Sequence, residues 1–203
     1  MTRIFLTAVL ALAFPLAAYA DDVEFTDHSG TLSGSAAGLT LIDSKLTEVD
    51  GLGGLGLIQG TLGSMSFTTG MLTSGSLMNG GTFAAGGTFI ITGNGTGGIP
   101  NGVIFSGTFS SPVSWTEQTK SNGVISYILT GAVSGTWYNG SKVNGATTLI
   151  AMDAGKNGFA GSLTLDSGGT ILNTSAAPEP GTLLLFGTGS VGLVGIVRRK
   201  LKA

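Results

Sequence analysis

Apolar and polar residues alternate with a period of two along much of the second half of the chain. In Val124–Tyr138, one face reads Ile125, Tyr127, Leu129, Gly131, Val133, Gly135, Trp137. The other is mixed: Ser126, Thr130, Ser134 and Thr136 with Val124, Ile128, Ala132 and Tyr138. Such alternation predicts a long strand buried on one side. Residues 103–115 repeat it, with Val103, Phe105, Gly107 and Phe109 together, and residues 158–165 add Phe159, Gly161, Leu163 and Leu165. Asn101-Gly102, Asn122-Gly123, Asn139-Gly140 and Asn157-Gly158 fall between these runs and suit type I′ turns. The expected fold class is all-β: an antiparallel meander of long strands forming a curled sheet, sandwich or barrel. Gly107, Gly131, Gly135 and Gly161 lie on the apolar face, where glycine marks a bend or a close approach.

The first half is less regular. Leu39, Leu41 and Leu46, Val49 suggest short strands around Asp43-Ser44-Lys45, and residues 51–60 read as a loop or a close-packed strand. A Gly-Thr-aromatic phrase recurs (Gly81-Thr82-Phe83, Gly87-Thr88-Phe89, Gly107-Thr108-Phe109) without the fixed spacing of a solenoid.

Two segments depart from this pattern. Residues 1–20 carry Arg3, then an apolar stretch, then Ala18-Tyr19-Ala20, which reads as a signal peptide cleaved after Ala20. At the other end, Pro178-Glu179-Pro180 precedes an uncharged run over 181–197, and Arg198, Arg199 and Lys200 follow at once. Seventeen helical residues would span about 25 Å, the short end for a bilayer crossing. The basic stop predicts that residues 198–203 remain cytoplasmic, with the body outside the inner membrane. The expected organisation is therefore signal peptide 1–20, exported β domain 21–177 and sorting segment 178–203.

Pro-Glu-Pro, an apolar helix and an Arg-rich stub, behind a signal peptide, resemble the PEP-CTERM sorting signal. The resemblance implies a Gram-negative bacterial chain processed by an exosortase, a membrane-embedded transpeptidase-like enzyme. Such systems accompany exopolysaccharide production, and the implied destination is the cell surface or beyond it. The resemblance says nothing about the β domain. Prolines on both sides hold Glu179 in an extended backbone that a processing enzyme could grip.

Composition narrows the chemistry. With no cysteine, disulfides, thiolate metal sites and a cysteine nucleophile are excluded. Residues 21–177 hold ten acids against four lysines, a net of −6, the wrong sign for a nucleic-acid partner. His28 is the only histidine, beside Asp21, Asp22, Glu24 and Asp27. It reads as part of a polar, mobile mature N-terminus, not as a metal ligand or a triad base, so no catalytic residue, metal or cofactor is expected.

A non-enzymatic surface or matrix protein is the leading expectation. A carbohydrate-binding module facing exopolysaccharide is the alternative, with Trp115 and Tyr138 as candidate stacking residues. A hydrolase would need two facing carboxylates, and Asp43, Glu48, Asp50, Glu117, Asp153 and Asp166 offer no marked pair. Glu48 and Asp50 read as members of a solvated turn.

Overall fold

The computed structural model describes residues 21–119, 121–151 and 157–174, and Asp22–Thr174 forms a compact unit. The signal segment with Ala18 and Ala20, Asp153, and the tail with Pro178–Pro180, the apolar run and Arg198–Lys200 lie outside the described residues. Twelve strands follow in order: β1 (Asp21–His28), β2 (Thr31–Ser35), β3 (Gly38–Asp50), β4 (Ile58–Thr68), β5 (Leu72–Ser76), β6 (Gly80–Phe83), β7 (Gly86–Asn94), β8 (Asn101–Phe109), β9 (Val113–Thr119), β10 (Ile125–Trp137), β11 (Lys142–Ala151) and β12 (Ser162–Thr174). Helix among the described residues is limited to two 3₁₀ turns, Leu52–Gly54 and Thr96–Gly98. None is long and apolar enough to cross a membrane.

The pairings close on themselves. Antiparallel ladders run β2–β3–β4–β7–β8–β10–β11–β12, and β12 pairs back onto β2. The remaining strands extend this ring. β1 continues the line of β2 along β3, and β9 continues β8 along β10. The β5–β6 ladder prolongs the β4–β7 ladder, and β6 pairs with β9. Twelve segments thus act as eight long strands, each beside its chain neighbours, the last beside the first. Of the architectures compatible with the alternation, the fold is an up-and-down barrel, whose closure leaves no long unpaired edge.

Closure requires bends, and the chain supplies them as extra residues. β1 and β2 are separated by Ser29 (φ 62°) and Gly30 (φ 91°). A Cβ on Gly30 would meet the backbone nitrogen of Ser44 at 2.7 Å, so only glycine fits there. In β3 the register shifts between Leu41 and Ser44, where Asp43 has φ 58°, and again between Leu46 and Glu48. These bulges keep Leu39, Leu41, Ser44, Leu46 and Val49 all buried. The two short strands expected here are therefore one bent strand, and Glu48 and Asp50 belong to it, not to a turn.

The interior is filled by side chains. Phe67, Phe89, Phe105 and Phe109 pack with ring centroids 5.5–6.1 Å apart, mostly edge to face. Tyr127, Leu129, Val133 and Trp137 of β10 are buried, as the alternation predicts. Val103 is not: it is 52% exposed, and Ile104 is buried in its place. The β7–β8 register shifts here, pairing Ile91 with Phe105 but Thr92 with Val103, so the extra residue reverses the faces. The outer wall carries exposed Ser106, Thr108, Ser114, Thr116 and Thr130. That hydroxyl-rich face is unlike the apolar band of an outer-membrane barrel.

None of the four Asn-Gly pairs forms the expected type I′ turn, because positive φ falls only on the glycines, Gly102, Gly123, Gly140 and Gly158. Positive φ at Asn139-Gly140 occurs only at Gly140 (87°). The Gly140 N–H donates to the Trp137 carbonyl and the Trp137 N–H to the Ser141 carbonyl, both at 2.8 Å. This is a type I turn closed by a glycine bulge, with the Asn139 side chain accepting from the Ser141 N–H. Asn101-Gly102 lies inside β8.

Candidate functional site

The residues singled out for ligand contact separate on folding. Trp115 is buried (1% exposed), its ring stacked on Tyr127 at 4.6 Å and its indole N–H donating to the Leu77 carbonyl at 2.9 Å. The Tyr127 hydroxyl donates to the Met78 carbonyl at 2.6 Å and accepts from the Phe159 N–H at 3.0 Å. Burial pushes the Tyr127 phenol above its ordinary range. This stack locks loop backbone against the barrel end, so Trp115 is not a surface platform. Its inward place follows from Val113 and Trp115 sharing the buried face of β9. Tyr138 is 48% exposed on the β10–β11 turn and tilts against Trp137, ring centroids 5.5 Å apart.

The carboxylates are dispersed. Glu48 accepts from Gln59 Nε2 at 2.8 Å across the β3–β4 ladder, and Glu117 accepts from the Thr119 hydroxyl at 3.0 Å on β9. Asp43 and Asp166 are exposed on β3 and β12. Among the described residues, no three metal-ligating side chains converge. The His28 region is not a mobile terminus: it ends β1, paired with Lys45 of β3, and His28 Nδ1 lies 2.7 Å from the Ser29 hydroxyl.

The unusual polar centre is one that the sequence reading passed over. Asp22, Glu24 and His28 face outward, while Val23, Phe25 and Asp27 face inward, and Asp27 is fully buried. The Ser44 hydroxyl donates to Asp27 Oδ2. Asp27 Oδ1 has no hydrogen-bond partner. Gly168 of β12 leaves room for it, since a Cβ there would meet Oδ1 at 2.3 Å. Buried Thr147 and Thr170 face inward from β11 and β12, where the Thr170 hydroxyl donates to Thr147 Oγ1 at 2.9 Å. Burial pushes the Asp27 carboxyl up to about 6, with the Ser44 hydrogen bond and the neighbouring His28 pulling the other way. The group is a sealed, uncompensated acid, and no histidine bridges it to Ser44. Chemically it can hold or release a proton.

An open surface groove of about 490 Å³ is lined by Ser33, Ser35, Thr40, Thr68, Thr69 and neighbouring glycines. The Thr69 hydroxyl is already engaged, accepting from the Leu39 N–H and donating to the Gly70 carbonyl.

Comparison with known proteins adds a finding outside the barrel. No curated protein and no solved structure matches the chain. The family model of the PEP-CTERM protein-sorting motif matches residues 176–200, which begin just after β12 ends at Thr174. The tail expected from Pro178, Glu179, Pro180 and the basic residues is thus matched by its family, and no other family model covers the body. The chain carries the PEP-CTERM protein-sorting motif, the mark of an exported protein that an exosortase-type enzyme processes.

Proposed function

We propose that this chain is a non-enzymatic, exported β-barrel, held transiently in the inner membrane by its tail with the body in the periplasm, then displayed at the cell surface or in the extracellular matrix. The sorting motif carries this reading. The barrel supports it: phenylalanines and leucines occupy the interior where a ligand-binding barrel keeps a cavity. Replacing Pro178-Glu179-Pro180 with alanines removes the motif's two prolines and its carboxylate and is expected to leave full-length protein in the membrane fraction. Cell fractionation with an antibody to the barrel reads this directly. Unchanged maturation and location would contradict the proposal.

A carbohydrate-binding role toward exopolysaccharide is the second reading, favoured by exposed Tyr138 and by the serine- and threonine-lined groove. If Tyr138 stacks on sugar, Tyr138→Ala weakens retention on immobilised exopolysaccharide about tenfold or more. Retention equal to wild type would remove Tyr138 from any binding surface.

A further inference from the structure

Strand direction sorts the exposed apolar side chains. The start of β1, the ends of β3, β7, β10 and β12, and the starts of β4, β8 and β11 all lie at one rim of the barrel, by their antiparallel registers. Of the eight large hydrophobic residues that are exposed among the described residues, five belong to this rim or its outer edge: Leu55, Leu57, Val103, Tyr138 and Ile171. Leu55 and Leu57 stand on the β3–β4 loop, and the Leu55 side chain lies against Gly98 of the β7–β8 loop. The described chain also begins and ends here: Asn173 Nδ2 donates to Asp22 Oδ1 at 2.8 Å.

Taken with the sorting reading, on which this inference rests, that placement identifies an occupant. β12 ends at Thr174, and the uncharged run of the tail begins at Gly181. Seven residue steps reach at most about 25 Å when fully extended. While the tail is in the membrane, Thr174 cannot stand further than that from the start of the run. A tether this short gives the rim a high effective concentration at the lipid surface, so even weak apolar contacts are populated. Tyr138 has the amphipathic ring that settles at headgroup level, and Leu55 and Leu57 supply burial. The rim is not uniform: exposed Asp22, Glu24 and Asp50 form an acidic arc on β1 and β3. The arc disfavours a strongly anionic surface and leaves the apolar arc to make contact.

We propose that the apolar arc carrying Leu55, Leu57, Val103 and Tyr138 rests on the bilayer interface while the C-terminal tail anchors the chain, setting the barrel's orientation before processing. The chain has no cysteine, so single probes can be placed cleanly. Full-length Leu57→Cys, Tyr138→Cys, Met78→Cys and Val191→Cys, each labelled with an environment-sensitive fluorophore, are reconstituted into phosphatidylcholine vesicles containing a shallow nitroxide lipid. Met78 is as exposed as the rim residues but sits on the β5–β6 turn at the opposite end. Probes at 57 and 138 are expected to be quenched at least twofold more than the probe at 78, with the tail probe at 191 also quenched. A quenched tail with equal, solvent-like signals at 57, 138 and 78 overturns the rim contact alone. An unquenched probe at 191 removes the anchoring reading and the contact with it.

Discussion

Asp27→Asn is expected to make the barrel more stable at pH 7.5, by up to about 3 kcal/mol, and to raise its melting temperature by roughly 5–10 °C. The sign follows from the raised pKa of the buried carboxyl. The unfolded carboxyl titrates near 3.8 and the buried one near 6. Below pH 3.8 both states hold the proton and the site costs nothing in charge. Between pH 3.8 and 6 the unfolded chain ionises while the folded one does not, so stability falls as pH rises. Above pH 6 the folded group ionises as well, and the loss is complete at about 3 kcal/mol, from some two pKa units at 1.36 kcal/mol each. Asparagine keeps an acceptor for the Ser44 hydroxyl in nearly the same volume and removes the charge. Urea midpoints measured from pH 4 to 8 test this. Wild type should lose stability across that window, and the variant should show a flatter profile. Parallel profiles for the two proteins would mean that Asp27 is not the buried acid described here.

Gly135→Ala is expected to destabilise the barrel by about 3 kcal/mol or more. Gly135 of β10 pairs directly with Gly107 of β8. A Cβ at 135 would lie 2.3 Å from the Ser106 carbonyl oxygen and 2.6 Å from the Gly107 Cα. The Phe105 ring lies over the pair, its Cζ 2.7–2.8 Å from either added Cβ, so neither neighbour has room to yield. Gly56→Ala is the control: nothing lies within 4 Å of its Cβ position and its φ is ordinary, so its effect should stay within about 0.5 kcal/mol. Equal denaturation midpoints for the two variants would contradict the close approach.

These two positions also show what was legible in the sequence. The glycines of the apolar face were visible from alternation alone, and the choice between bend and close approach needed the partner strand. At 107, 131 and 135 the answer is close approach beneath phenylalanine rings, with Phe109 covering Gly131. Gly161 precedes its strand and is exposed, and a Cβ added there would meet nothing within 4 Å. Bending falls instead to bulges at Ser29-Gly30, Asp43 and Ile104. A bulge leaves no period of its own and reverses the faces after it, which is why Val103 and the first-half leucines misled. Asp27 was within reach, because Val23, Phe25 and Asp27 alternate like any buried face. An acidic run behind a cleavage site suggests solvent, and only pairing with β3 puts that register inside. Trp115 shared a face with Val113 and could have been placed in the core on the same ground. The tail, by contrast, was readable residue by residue, because its parts act through local chemistry: fixed prolines, an uncharged length, a basic stop.

Sorting is tested most directly by the mass of the mature protein recovered from its final location. Signal cleavage after Ala20 together with processing at the motif predicts a chain that begins at Asp21 and has lost the apolar run and Arg198–Ala203. A mature chain whose mass still includes residues 181–203 would contradict it.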